Sequence, residues 1–143
     1  MGFVFCSNSP QETQALGEKI AATLRGGEVI ALYGGMGMGK TAFTRGLAAG
    51  LGIASGVSSP TFALVQEYPG GRLPLYHFDM YRVDSWEDLE STGFFDYLES
   101  GGVLVIEWSE NIEGALPQEK ITISIAQGEG EQQRVLRVEG VTL

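Results

Sequence analysis

Residues 33–46 read YGGMGMGKTAFTRG, with four glycines in the six positions before a lysine and a threonine. A glycine inside a helix or strand costs about 0.5–1 kcal/mol relative to alanine. Such a cluster therefore belongs to a loop whose backbone needs dihedrals that other residues avoid. Gly34, Gly39, Lys40 and Thr41 satisfy the spacing G-x-x-x-x-G-K-[ST]. In that arrangement successive backbone N–H groups aim at phosphate oxygens, and the helix that follows adds the partial positive charge of its N-terminus. Lys40 would reach the β- and γ-phosphates, and Thr41 would give its hydroxyl to Mg²⁺. The flanks agree with this reading. EVIALY, from Glu28 to Tyr33, is a compact apolar run of the kind used for buried strands. Beyond the loop, Phe43, Leu47, Ala48 and Leu51 recur at helical spacing until Gly52. Strand, phosphate loop and helix in that order set the fold class as α/β.

Working outward, FVFCS near the start reads as a short strand. Ser9-Pro10-Gln11-Glu12 then opens a helix, with Ser9 as N-cap, Pro10 in the first helical position and Glu12 closing a capping box. Ala15, Leu16, Ile20 and Leu24 follow at helical spacing, and Gly26-Gly27 ends it. Downstream of SSPT (Ser58 to Thr61), the runs FALVQEY and LPLYHFDMY are joined through Pro69-Gly70-Gly71-Arg72, a hairpin signal. DSWEDLESTG predicts a short acidic helix opened by Asp84 or Ser85. GVLVIEW predicts another buried strand, and KITISIAQ with QRVLRVEG predicts a terminal hairpin. Two hairpins beside strand–helix crossovers call for a mixed parallel and antiparallel sheet flanked by helices. The expected organisation is a single domain over residues 1–143 of the P-loop NTPase type.

Composition narrows the function classes. Hydrophobic residues make up 43% and charged residues 19% of the 143, which suits a soluble globular chain. Eighteen acids against nine lysines and arginines leave a net charge of −9. That surface should repel nucleic acid and anionic membranes, so no direct sequence-specific nucleic-acid binding is expected. Cys6 is alone, which rules out an internal disulfide and a four-thiolate metal site. Apolar runs are strand-sized and no secretory signal precedes them, so the expected location is cytoplasmic.

A nucleotide site of this kind needs an acid near the metal. Asp79 in LYHFDMY and Glu107 in VLVIEW both end apolar strands, and either could serve directly or through water. SSPT stands where a segment sensing the γ-phosphate could lie, with Thr61 as its contact; it also reads as an ordinary Ser/Pro loop. His77, the sole histidine, sits in a hydrophobic strand and reads as a core or hydrogen-bonded residue. Trp108 could stack on a ligand or simply pack at a strand end. Between Asp79 and Glu119 eleven acids stand against the single Arg82, a solvated face or a surface for a basic partner.

SPQETQALG, GGMGMGKTAFTRG, SSPTFALVQEY, LYHFDMYRV and VIEWSE, in this order, resemble the bacterial tRNA threonylcarbamoyladenosine biosynthesis ATPase family, TsaE. The phosphate loop is generic; SPTF, YHFDMYR and EW at these separations are distinctive. The resemblance implies a cytoplasmic Mg²⁺-dependent ATPase acting with the two paralogous subunits of the threonylcarbamoyl-transferase complex. That complex modifies adenosine 37 of tRNA, so tRNA would be met only through the partners, with no membrane involved. By motif position, Gly35, Met36, Gly37, Met38, Gly39, Lys40, Thr41 and Ala42 would cradle the ATP phosphates, and Thr41 and Glu107 would serve Mg²⁺. Asp79 would lie beside the γ-phosphate or attacking water, with Lys40, Asp79 and Glu107 as the catalytic set. Thr61 would belong to the switch-like loop and Trp108 would be the functional tryptophan. Gln11 and Thr13 would contact the base, and Arg134 would close the site from the terminal hairpin. One departure stands out: the family's loop usually carries an acid where this chain has Gly35.

Two other readings share the loop. A small P-loop kinase would want an arginine-bearing lid, but the six arginines (25, 45, 72, 82, 134 and 137) are scattered. A non-catalytic nucleotide switch would bind without turnover. A guanine-reading Asn-Lys-x-Asp segment is absent, since the asparagines are Asn8 and Asn111, so ATP is preferred over GTP.

Overall fold

The computed structural model describes residues 2–34, 39–53 and 65–143. In chain order they form β1 (Gly2–Ser7), α1 (Pro10–Ala21), β2 (Val29–Tyr33), α2 (Lys40–Gly50), β3 (Val65–Tyr68) and β4 (Leu75–Asp79). Then come α3 (Trp86–Ser91), α4 (Phe94–Leu98), β5 (Val103–Glu107), a 3-10 segment (Ser109–Ala115), β6 (Ile121–Gln127) and β7 (Arg134–Glu139).

The described strands make one seven-stranded sheet in the order β1-β7-β6-β2-β5-β4-β3. Its middle, β6-β2-β5-β4, is parallel. Antiparallel partners flank it: β3 on β4, β7 on β6, and β1 on β7. This is the mixed α/β sheet expected from the two hairpins. The pairing of β1 with β7 joins the two ends of the chain, and no local sequence signal announces it.

Burial follows from this order. In β2, Val29 to Leu32 are all buried, as a central strand covered on both faces must be. In β5 the faces alternate: Val103 and Val105 join the core beneath α1 and α2, while Leu104 and Ile106 join the core beneath α3, α4 and the 3-10 segment. Each fully buried aliphatic or aromatic side chain of this kind is worth about 1.5–3 kcal/mol. Continuing the alternation puts Glu107, next in line after Val105, on the α2 side.

The helix starts behave locally, the ends less so. Ser9 Oγ accepts the Glu12 N–H at 3.2 Å, as predicted for its cap. The Glu12 carboxylate reaches back to the N–H of Asn8 rather than Ser9, so the capping box is displaced by one residue. α1 stops at Ala21, short of Gly26-Gly27, and Ala15 is exposed rather than part of its apolar face. Thr13, Leu16, Gly17, Ile20 and Ala21 form the buried face. Ser85 is the N-cap of α3, and α4 is an additional short helix opened by Gly93 at φ 79°.

α1 and α2 lie unusually close because their contact is made of glycine. A Cβ on Gly17 would come within 2.5 Å of the Phe43 carbonyl oxygen, and one on Gly50 within 2.5 Å of Ala21 Cβ. A Cβ on Gly46 would fall against the carbonyl oxygen of Gln14. Backbone meets backbone here, which fixes where the N-terminus of α2 sits above the sheet.

Candidate functional site

The parallel strands bring their C-terminal ends to one edge, the place where ligands bind in open α/β sheets. Tyr33, Glu107 and Asp79 end β2, β5 and β4 there, with Asp79 paired to Glu107 in register. β1 also ends at this edge and β7 begins at it, because Ser7 pairs with Arg134.

At the entrance to α2, Gly39 adopts φ 97°, a left-handed conformation that disfavours a side chain. It offers no side-chain cap, and no acid lies in the first turn of α2. The positive end of the helix dipole therefore faces this edge of the sheet, a setting that favours an anion. Lys40 begins the helix and is only 6% exposed. A cation buried at a helix N-terminus opposes the dipole and needs compensation. Glu107 supplies it: its Oε1 lies 3.6 Å from Lys40 Nζ, with the carboxylate itself buried. The indole of Trp108 adds a cation–π contact, its centroid 5.0 Å from Nζ.

Trp108 reaches that position through its backbone. Among the described residues it is the one non-glycine at positive φ, 60°, a conformation that costs roughly 1–2 kcal/mol. The turn swings its ring beside Tyr81, centroids 4.9 Å apart. Asn111 braces the two loops, donating from Nδ2 to the carbonyl oxygens of Met80 at 2.8 Å and Tyr81 at 3.2 Å.

The two acids differ in state. Burial pushes the Glu107 carboxyl up, but the hydrogen bond and electrostatic attraction of His77, and after them the charge of Lys40, outweigh burial, so the group sits below its ordinary range. For Asp79, half-buried, burial dominates and its carboxyl is raised, against a hydrogen bond that Oδ1 accepts from the Tyr81 N–H at 2.9 Å. One acid is thus held ionised beside a cation, and the other is a stronger proton acceptor.

His77 was legible only as a core or hydrogen-bonded histidine, and it is both. It is fully buried, and its Nε2 lies 2.5 Å from Glu107 Oε2. A usable signal was present: Leu75, His77 and Asp79 share one face of β4 at period two. For Asn111 the sequence carried no signal.

The residues read as nucleotide contacts are distributed along the same edge. Lys40, Asp79, Glu107 and Trp108 converge at β2, β5, β4 and α2. Thr41 and Ala42 are half-buried in the first turn of α2. Gln11 is exposed in the first turn of α1, whereas Thr13 is buried, its hydroxyl 2.7 Å from that of Ser7. Arg134 opens β7, two strands beyond β2, its Nη1 donating to the Glu131 and Gln133 carbonyls at 2.9 Å each. Gly35, Met36, Gly37, Met38 and Thr61 lie outside the described residues, as do residues 62–64 of the strand read in FALVQEY.

The donor set suits Mg²⁺ better than a protein-caged metal. Among the described residues no three His, Cys, Asp or Glu side chains cluster to hold an ion. Mg²⁺ in nucleotide sites takes one or two protein oxygens and fills its octahedron with phosphate oxygens and water. The Thr41 hydroxyl and Glu107 carboxylate could provide such a pair beside a phosphate held by α2.

Comparison with known proteins agrees along nearly the whole chain. Residues 7–136 match the family model described as threonylcarbamoyl adenosine biosynthesis protein TsaE. A tRNA threonylcarbamoyladenosine biosynthesis protein TsaE from Bacillus subtilis is 42% identical over 127 residues, 89% of this chain and 79% of the relative. One from Treponema pallidum is 44% identical over 119 residues, covering 83% of this chain and 87% of the relative. The crystal structure of Bacillus subtilis YdiB superposes with a TM-score of 0.80 at 36% identity, over 96% of this chain and 84% of that one.

Proposed function

Because this chain belongs to the threonylcarbamoyl adenosine biosynthesis protein TsaE family, we propose that it is a Mg²⁺-dependent ATPase serving tRNA threonylcarbamoyladenosine formation. One observation carries the reading: a buried lysine opens a glycine-capped helix and faces a buried carboxylate at the C-terminal edge of a parallel sheet. In this reading the first turn of α2 and Lys40 bind the β- and γ-phosphates, displacing Glu107 as the partner of the ammonium. Thr41 and Glu107 would hold the metal ion, whose chemistry there would be to offset charge on the phosphoryl oxygens. Asp79 orients the attacking water, and its raised carboxyl suits it to accept that water's proton. Trp108 walls the site. The transfer reaction itself would belong to the two partner subunits, met in the cytoplasm; among the described residues no helix is long and apolar enough to cross a membrane.

The isolated chain should turn over slowly. Arg72 donates to the carbonyls of Leu24 and Ala21 behind α1, away from the site. In related phosphate-loop enzymes an arginine finger contributes about 10³–10⁵ in rate. Phosphate release from the chain alone is therefore expected to be low and to rise when the transferase subunits are added, the gain weakening with salt. Fast, salt-insensitive turnover indifferent to those subunits would defeat the partner-dependent reading. Appearance of a phosphorylated acceptor in place of free phosphate would favour a kinase, and nucleotide binding without phosphate release a switch.

Glu107→Gln keeps size and loses charge, so it should weaken Mg²⁺-dependent ATP binding and cut turnover at least tenfold. Asp79→Asn should spare binding and cut turnover by about 10²–10⁴, the usual contribution of a positioned proton acceptor. Unchanged turnover in both variants would reduce these residues to strand-end acids.

A further inference from the structure

His77 is buried at the middle of β4 with Val105 beside it in the next strand, in surroundings where an aliphatic side chain would pack without polar cost. Its Nδ1 is buried and has no hydrogen-bond partner. Among the described residues, the one polar contact the ring makes is with Glu107 Oε2 at 2.5 Å. An ionised carboxylate only accepts, so Nε2 must donate. The ring is thus placed to serve Glu107 and nothing else.

A glutamate has three side-chain torsions, and burial alone does not choose among them. A donor locked in a strand beneath one carboxylate oxygen does choose. With Oε2 on His77, Oε1 turns to Lys40, 3.6 Å away. Since His77 is fully buried, it cannot touch a substrate in the cleft; whatever it does at the site passes through Glu107.

We propose that His77 is a positioning residue that pins Oε2 of Glu107, presenting Oε1 to Lys40 and, in the nucleotide complex, to Mg²⁺. This rests on the MgATP reading above. Partners of this kind behind a metal-ligating group are typically worth about 10–100-fold in metal affinity.

The test titrates Mg²⁺ into the protein at fixed ATP, following Trp108 fluorescence in a Trp86→Phe background that removes the second tryptophan. ATP affinity in EDTA is measured alongside. His77→Leu and His77→Asn should need about 10–100-fold more Mg²⁺ at unchanged metal-free ATP affinity. His77→Gln should recover most of the loss, because its amide nitrogen stands where Nε2 stands, whereas that of Asn stands where Nδ1 does. Should the Leu variant not fold, the contrast between Gln and Asn decides. A parental Mg²⁺ requirement in the Leu or Asn variant, or Gln no better than Asn, would make His77 a packing residue and overturn the proposal. A parent with no Mg²⁺-dependent response would sink the nucleotide reading and this one with it. In the ligand-free protein, nitrogen NMR of the sole histidine should show Nε2 carrying a hydrogen bonded to Glu107; a bare Nε2 also overturns the assignment.

Discussion

Lys40→Ala is expected to lower MgATP affinity by at least 30-fold and to reduce phosphate release to background while the fold persists. Truncating one member of a buried, hydrogen-bonded charge pair costs about 2–5 kcal/mol, and about 1.4 kcal/mol is a factor of ten in affinity. Two effects act together. The phosphates lose the fixed charge at the mouth of α2, and the Glu107 carboxylate, now without the ammonium 3.6 Å away, repels them. Lys40→Met keeps the hydrocarbon stem against Trp108 and should fail almost as badly, since what matters is charge. His77 still holds Glu107 in both variants, which is why the loss should appear in binding more than in thermal stability. Calorimetric titration of MgATP with parallel melting curves checks this. A variant binding and hydrolysing ATP like the parent would remove the phosphate-loop assignment.

Gly46→Ala should destabilise the fold by about 3 kcal/mol, at the upper end of what overpacking usually costs. For a chain of this size that is a fall in melting temperature of roughly 6–12 °C. Local physics argues the other way: alanine in a helix interior is worth nearly 1 kcal/mol more than glycine. The tertiary contact reverses the sign, because the new methyl would fall against the Gln14 carbonyl on α1 and nothing there can rotate away. To admit it, α1 and α2 must separate, and the first residues of α2 are Lys40 and Thr41. MgATP binding should therefore weaken together with stability. A melting temperature equal to or above the parent's would show that the helix pair has more slack than its backbone contacts allow.

The stretch holding Gly46 shows how the information is divided. Within residues 33–46 the phosphate-loop motif was readable because its signature is local: glycine spacing, the lysine and the threonine are adjacent in the chain. The strands were readable from apolar runs and the cap at Ser9 from its hydroxyl, for the same reason, while the structure chose Ser85 over Asp84 for α3. Gly46 looked like any helical glycine. Its role depends on Gln14, thirty-two positions earlier, and no periodicity within α2 records that.

Asp79 and Glu107 could be picked from the sequence as acids ending apolar strands beside a phosphate-loop motif, a pattern that a solvated strand end or a salt-bridge partner also fits. Their division of labour could not. Strand order pairs β4 with β5 and places both beside α2, and only then does Glu107 meet Lys40 while Asp79 stays apart with its carboxyl raised by burial. The same pairing turned His77 from a buried histidine into the donor that orients Glu107. Likewise α1 ended at Ala21, ahead of its glycine signal, where the Thr23 and Leu24 N–H groups close a tighter turn on the Ile20 and Ala21 carbonyls. Sequence by itself determined the α/β class, the phosphate-loop motif and the acids that end the neighbouring strands, all written in contiguous residues. Tertiary structure alone decided which of those groups touch, because contact between distant residues is set by strand order and helix approach, and neither has a local chemical signature.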